Sequence, residues 1–307
     1  MASGLIARDR HLGEITTYRF GGPARFFAEV DTEVSLAAVL DAWRSTDGAP
    51  PLLILGRGSN LVISDAGFEG LVVRLTGDFA AVEVSEAGFV RAGGAAALPI
   101  VARMAGRAGR GGLEFFVGIP GSVGGAVRMN AGGHGSDTAE WLTAARVMDA
   151  ATGTVRTADV VGLELGYRSS NIGPRDIVLD AIFRTEPRAV AEGEAMMRDV
   201  TKWRRERQPG GTLNAGNVFK NPDDVPAGRL IDDVGLKGLT IGGASVSRRH
   251  ANFFVATDTA TAQDVYDLVH EVQRRVSDER GVLLEPEVHF VGAFLDPARG
   301  ERAGSAG

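Results

Sequence analysis

The sequence predicts an α+β fold in more than one domain. Three observations carry this expectation. Short apolar or alternating runs are separated by amphipathic stretches at irregular intervals, unlike the even strand–helix repeat of a parallel α/β wheel. The 42 glycines, about twice the average share, cluster in loops rather than spreading evenly. The composition changes near residue 190. There a charged helical stretch, Ala189 to Gln208, gives way to a Gly-, Asn- and Pro-rich segment from Pro209 to Pro226.

The elements follow in order. Thr32 is placed to cap a helix that turns Val34, Ala37, Ala38, Leu40 and Ala42 to the core. Leu52 to Leu55 is a short apolar run that stops at Gly56 and reads as a buried strand. Leu71 to Leu75, Ala81 to Val84 and Phe89 to Ala92 read as further strands. Pro99 suits a first helical turn, and Gly109 a helix end. Val147 to Ala150 and Val155 to Ala158 flank Thr152-Gly153 as a hairpin, and Asp176 to Thr185 reads as a longer strand. Thr261 with Asp264 forms a capping-box pattern. Behind it Val265, Leu268, Val269, Val272 and Val276 keep helical spacing up to Gly281. Leu283 to Val291 reads as a closing strand, and the polar tail from Asp296 to Gly307 is expected to fray. The expected division is 1–190, 191–293 and a tail, 294–307.

Composition excludes several classes. The 307 residues allow two or three domains with an ample core. A net charge of −6 argues against a nucleic-acid partner. The absence of cysteine excludes disulfides, thiolate chemistry and cysteine-bound zinc. His11, His134, His250, His270 and His289 show no metal-ligand spacing, and no Gly-x-Ser-x-Gly elbow appears. No apolar run is long enough to span a membrane, and Met1 to Arg10 has no signal-peptide core. A cytoplasmic location is expected.

The glycine loops carry the chemistry. The first is Gly56, Arg57, Gly58, Ser59, Asn60 and then Leu61. It follows a strand but does not turn into a helix, so it is not a Rossmann fingerprint. Alone it reads as a glycine turn or an anion nest. The second has Gly118, Ile119, Pro120, Gly121, Ser122, Val123, Gly124 and Gly125. It lacks the Gly-Lys-Ser/Thr of a phosphate loop, yet Gly121-Ser122-Val123 offers backbone donors to a pyrophosphate. A third cluster, Asn130, Ala131, Gly132, Gly133, His134 and Gly135, follows directly; the five histidines read as structural or surface groups, and only His134 sits in a loop of this kind. Several such loops in one domain favour a large phosphate-bearing cofactor.

The string Gly118 to Gly132 closely resembles the signature of the UDP-N-acetylenolpyruvoylglucosamine reductase family. So do Thr17 to Gly22 and Gly56 to Asn60, and Tyr167-Arg168-Ser169, Phe219 to Pro222 and Leu284 to Glu287 continue the match in order. Each motif is weak alone; the ordered set, from about residue 10 to 293, is specific. The resemblance implies a vanillyl-alcohol-oxidase-type (PCMH-like) FAD-binding fold of two α+β subdomains, split near 75–80. A smaller C-terminal α+β substrate domain follows. It implies FAD, NADPH as hydride donor and a UDP-sugar substrate, whose enolpyruvyl ether becomes the lactyl ether of UDP-N-acetylmuramate. A monomer is expected. The stretch from Tyr167 to Thr185 is short, like the subtype without an extra tyrosine loop.

By the same resemblance the three glycine segments bind FAD. Arg168 holds the substrate carboxylate as charge develops, and Glu287 is a second active-site donor. Tyr167, Lys220 and Asn221 contact the substrate. Read without the family, Arg168 would pair with a surface acid, Lys220 would be a solvated cation and Tyr167 a core aromatic. One position departs. Where the family has a serine or cysteine that donates a proton, this chain has Asn217, and a carboxamide is not a practical proton donor. Either Asn217 holds a water that delivers the proton, or Ser169 or Ser170 substitutes, or turnover is impaired. The departure keeps two alternatives open: a flavin oxidoreductase with another substrate, and a nucleotide-sugar binding protein.

Overall fold

The computed structural model describes residues 4–222, 225–295 and 302–303. Its first sheet has four strands in the order Ile6–His11, Pro23–Val30, Phe68–Leu75 and Leu52–Leu55. The last two are parallel, with Leu52 opposite Leu71. Helix α1, Glu33–Arg44, starts at the expected Thr32, whose hydroxyl accepts from Ser35 N–H while Ser35 returns the bond. Its buried face is Leu36, Val39, Leu40 and Trp43, at helical spacing. That corrects the expected face: Val34 and Ala37 are exposed. The large residues set the orientation, and the alanines follow.

A second sheet of five strands is antiparallel throughout. Its order is Val155–Asp159, Leu142–Asp149, Asp176–Arg184, Phe89–Gly93 and Val82–Val84. Helix α2, Leu98–Arg107, carries Pro99 in its first turn and ends before Gly109. Short helices α3, Val123–Arg128, and α4, Thr138–Trp141, follow. Val101, Ala105, Phe116, Val127, Val147, Ala181 and Phe183 are among the residues of the core here. Helix α5, Val190–Arg207, is charged and buries little beyond Gly193 and Met197.

The C-terminal part has helices α6, Ala227–Asp233, and α7, Ala262–Arg280. The strands Thr240–Ile241, Ala244–Val246 and Phe254–Ala256 form an antiparallel sheet beside them. The α7 capping box forms as expected, and Gly281 closes the helix at φ 68°, a left-handed conformation that glycine adopts without strain. Val265, Leu268, Val269, Val272 and Val276 are all buried, in one core with Tyr18 and Val62 from early in the chain.

The expected strand Leu283 to Val291 is shorter than its pattern. Only His289–Val291 pairs, in parallel with Leu61–Ile63. Pro286 has no N–H to give a ladder and makes a single bridge to Phe219. Phe294–Leu295 pairs with Arg302–Ala303, whereas the rest of the expected frayed tail lies outside the described residues.

The contacts divide the chain into two compact units. One is 1–8, 26–57 and 70–204; the other is 9–25, 58–69 and 205–307. Two segments inside the range 1–190 therefore cluster with the C-terminal unit, and α5 stays with the first unit to residue 204. Among the described residues no helix is long and apolar enough to cross a membrane.

Candidate active site

In the first unit an open cleft of about 710 Å³ joins two of the glycine loops. Its glycine side comprises Gly56, Gly94, Gly124 and Gly125, with Ser122 among them. Leu55, Leu75, Ile172 and Val178 supply apolar wall, and Arg57, Arg74 and Arg128 supply cationic groups. Gly56 lets the backbone pass close to Ser122. A Cβ there would lie 2.7 Å from Ser122 Oγ, the oxygen that accepts from Gly125 N–H at the start of α3. The second loop does not present the donors expected of Val123. Its N–H donates to Ala96 O at 3.0 Å, and that of Gly124 to Gly94 O at 2.8 Å. Here the loop offers close approach. Gly118 lies under α5, where a Cβ would meet Val200 at 2.9 Å. Ile119 N–H donates to Phe116 O, and Gly121 O accepts from Leu98 N–H, so the turn through Pro120 is tied down on both sides.

Burial holds the Arg128 guanidinium below its ordinary pKa, and Asp176 opposes the shift. Its Nη1 donates to Gly173 O at 3.3 Å. Arg74, Arg128 and Ile172 were not among the residues singled out from the sequence. Arg128 stands inside the matched glycine string, but nothing in the string shows that it is half-buried beside the cleft.

The third cluster builds the seat of Arg168. Asn130 is buried, and its side chain bonds three times within the chain, donating to Gly166 O at 2.9 Å and to Asp137 Oδ2 at 3.3 Å and accepting from Ala139 N–H at 2.9 Å. Ala131 O accepts from Thr138 N–H at 3.0 Å. These bonds fix the turn that precedes Tyr167 and Arg168. Arg168 has φ 52°, in the left-handed region that bulky residues rarely occupy. Its guanidinium donates to Gly132 O at 2.9 Å and lies 5.3 Å from the centre of the Tyr167 ring. Tyr167 is 55% exposed, so it is not a core aromatic. Ser170 Oγ is already engaged, donating to Arg128 O and accepting from Ile172 N–H. His134, also left-handed, packs edge-on to Trp203 at 5.0 Å; burial and then Arg204 hold its pKa down.

In the second unit the rest of the first glycine loop meets two other segments. Gly58 has φ 60°, and a Cβ there would lie 2.5 Å from Ile15 O. Thr17 N–H donates to Gly58 O. Ser59 is half-buried, and Leu61 opens the strand beside His289. Asn60 donates its amide to Glu287 O at 2.9 Å, while Glu287 N–H donates to Val218 O at 2.7 Å. The Glu287 backbone is thus held from both sides and its side chain is half-buried. Glu285 is exposed and pairs with Lys220 Nζ at 2.6 Å, so Lys220 is not a free solvated cation. Asn221 Oδ1 accepts from Ala227 N–H at the start of α6. Asn217 forms a bridge with Phe253, and its Oδ1 is buried without a hydrogen-bond partner among the described residues.

Comparison with known proteins sets this geometry in a family. Residues 24–159 match the FAD binding domain model, and residues 208–291 match the C-terminal domain model of UDP-N-acetylenolpyruvoylglucosamine reductase. The chain is 44% identical over 292 residues to UDP-N-acetylenolpyruvoylglucosamine reductase 2 of Symbiobacterium thermophilum, covering 94% of this chain and 93% of that one. The chain belongs to the UDP-N-acetylenolpyruvoylglucosamine reductase family. The Synechocystis reductase is 43% identical over 298 residues, covering 94% of this chain and 92% of its own. The crystal structure of the Thermus caldophilus reductase superposes with a TM-score of 0.78 at 37% identity, covering 92% of this chain and 97% of that one.

Membership gives the cleft a candidate occupant, and the cleft's own chemistry fits it. FAD has an apolar ring system and an anionic pyrophosphate. The cleft has apolar walls, three arginines and a glycine surface on which a side chain would intrude. Among the described residues no group of His, Asp and Glu could hold a metal ion.

Proposed function

We propose that the chain reduces the enolpyruvyl ether of UDP-N-acetylglucosamine to UDP-N-acetylmuramate, with FAD as cofactor and NADPH as hydride donor, in peptidoglycan precursor synthesis. The observation that carries the proposal is the seat of Arg168. An arginine held in a left-handed turn on the carbonyl of a glycine cluster is built for positioning, not for solubility.

FAD, when bound, supplies hydride transfer from NADPH to the double bond. The residues of the chain do the rest. Gly56, Arg57, Ser122, Gly124 and Gly125 would hold the cofactor, and Arg128 and Arg74 would supply positive charge for its pyrophosphate. Arg168 clamps the substrate carboxylate and stabilises the negative charge that grows there. Tyr167 packs beside it. Glu287, with its backbone fixed by Asn60, is the second hydrogen-bond donor to the substrate. Lys220 exchanges Glu285 for the pyrophosphate, and Asn221 binds the nucleotide. Asn217 holds the water that gives up the proton. Residues 1–190 serve mainly the cofactor and 191–293 the substrate. The subtype is the one without the extra tyrosine loop, and the enzyme acts as a cytoplasmic monomer without nucleic-acid partners.

The test is anaerobic. NADPH should bleach the flavin absorbance band of the purified protein, and the enolpyruvyl sugar nucleotide should restore it. A protein that takes up no FAD would sink the proposal. A flavin that NADPH bleaches but the sugar nucleotide does not restore would point to another substrate. FAD binding without NADPH reduction would point to a binding protein.

A further inference from the structure

Four buried side-chain polar atoms have no hydrogen-bond partner among the described residues: Glu114 Oε1, Gln208 Oε1, Asn217 Oδ1 and His250 Nδ1. Glu114 still has an ionic partner in Arg188, at 3.2 Å. The other three gather around one turn of the second unit, Ser247 to Phe253. The turn is rigid. Ser247 Oγ accepts from Arg249 N–H and His250 N–H, Ser247 N–H donates to Phe253 O, and Phe253 N–H donates to His250 O. Arg249 reaches from it to Gln208 O at 3.3 Å. Phe253 faces Asn217 across an antiparallel bridge, so their side chains share one side. The His250 ring packs edge-on against Phe253, with centroids 4.9 Å apart. Phe253 therefore neighbours both residues, Asn217 through the bridge and His250 through its ring.

Buried polar groups are rarely left unpaired, because each costs about 1–3 kcal/mol of desolvation without a partner. A buried water usually needs two to four such groups around it. Burial and then the Lys237 ammonium hold the His250 pKa below its ordinary value, so the ring is neutral near pH 7. A neutral imidazole has one donor and one acceptor, which suits a link in a water chain.

We propose that Asn217 and His250 hold a chain of ordered water that feeds a proton to the substrate, with His250 as the positioning residue behind Asn217. This rests on the functional reading above. The reduction adds a hydride to one alkene carbon and a proton to its neighbour. As the new C–H bond forms, one O–H bond of the water on Asn217 breaks. The hydroxide left behind is reprotonated along the chain, past His250, by a proton from solvent. A side-chain hydroxyl at 217 would give the first proton itself, so that the new C–H bond no longer waits on the water chain, which would only reprotonate the alkoxide afterwards.

The experiment compares four FAD-loaded proteins: the natural one, His250→Gln, Asn217→Ser and the double variant. Reduction by NADPH checks that each is folded and loaded. Reoxidation by the enolpyruvyl sugar nucleotide is then followed by stopped flow. His250→Gln is expected to slow reoxidation about 10-fold in the natural protein and hardly at all beside Asn217→Ser. An equal loss in both backgrounds, or none in either, overturns the proposal. Failure of all four to reoxidise overturns the functional reading and this role together. A crystal structure of the natural protein gives an independent readout. Water within hydrogen-bond distance of both Asn217 Oδ1 and His250 Nδ1 is expected, and two dry atoms would overturn the proposal.

Discussion

The side-chain amide of Asn60 donates to the backbone carbonyl of Glu287 at 2.9 Å, and the carbonyl of Asn60 accepts from His289 N–H at 3.0 Å. A residue of the first glycine loop thus fixes the backbone of the segment that bears the candidate acid. Asn60→Ala removes this bond to the backbone of a half-buried residue. It should cost about 1–2 kcal/mol in urea unfolding. It should also slow reoxidation by the sugar nucleotide about 10-fold while NADPH reduction keeps its rate, if Asn60 acts through Glu287. An equal slowing of both half-reactions would place its effect elsewhere.

Gly56 has a different duty. A Cβ at Gly56 would press on Ser122 Oγ, whereas one at Gly210 would meet nothing within 4 Å. Gly56→Ala should therefore push the Ser122 hydroxyl aside, at a cost of about 1 kcal/mol. It should also weaken FAD retention, read as the flavin fluorescence released on dilution. Gly210→Ala should do neither. Similar FAD retention in the two variants would count against the cleft as the cofactor site.

Much of this was legible in the sequence, and the gaps have physical causes. The capping pairs at Thr32 and Thr261 were readable because a cap is a local bond between residues three apart. The buried face of α1 was not: Val34 satisfies the periodicity as well as Val39 does, and only the packed sheet separates them. The strand to Val291 failed at Pro286, whose missing N–H is local information that the apolar pattern outvoted. Among the site residues, Arg168 could be named from its motif, but its dependence on Asn130 and Gly132 is a contact across 36–38 positions. No spacing rule would have paired His250 with Asn217, because Phe253 joins them through a bridge in one direction and a ring contact in the other.

Glu114 and Arg188 form an ion pair at 3.2 Å, with the Glu114 side chain 6% and the Arg188 side chain 16% exposed. Glu114 Oε2 also accepts from Gly112 N–H at 2.8 Å, so the carboxylate anchors the chain ahead of the second glycine loop. Arg188→Met should cost about 3–5 kcal/mol, because it leaves a buried charge without its partner. Adding Glu114→Gln should return a large part of that loss in urea unfolding. If the double variant is as unstable as the single one, the pair is not the source of the effect.

Asp264 gives the stability a pH dependence of known sign. Burial alone would raise its pKa, but the N–H groups of Gly243 and Thr261 and the Thr261 hydroxyl outweigh that and hold it below the ordinary value. A folded value below the unfolded one means that the ionised form stabilises the fold. That contribution is whole above the unfolded value of about 4 and is lost as pH falls through the folded value. Glu271 shifts the same way, chiefly through its bond from Arg274. The melting temperature of Asp264→Asn should lie below that of the natural protein at pH 7, and the gap should close as pH falls below about 4. A gap that stays constant with pH would show that the charge is not what stabilises the α7 start.

The last prediction concerns the residue that departs from its family. Asn217 Oδ1 is buried without a hydrogen-bond partner among the described residues, and an amide does not titrate in a useful range. Of the two serines that follow the Tyr-Arg pair, Ser170 already spends its hydroxyl on Arg128 O and Ile172 N–H, and Ser169 is exposed. Protonation should then be the slow step of the second half-reaction, with hydride transfer intact. Asn217→Ser puts a hydroxyl at the end of a short side chain, where it can donate directly. General acid help is worth about 10²–10⁴-fold, so a gain of at least about 10-fold in reoxidation is expected, with no change in reduction by NADPH. The solvent isotope effect on reoxidation should change as well, because a direct transfer replaces one through water. If the variant reoxidises at the natural rate with the same isotope effect, Asn217 does not limit the reaction, and the proton reaches the substrate by a path that avoids it.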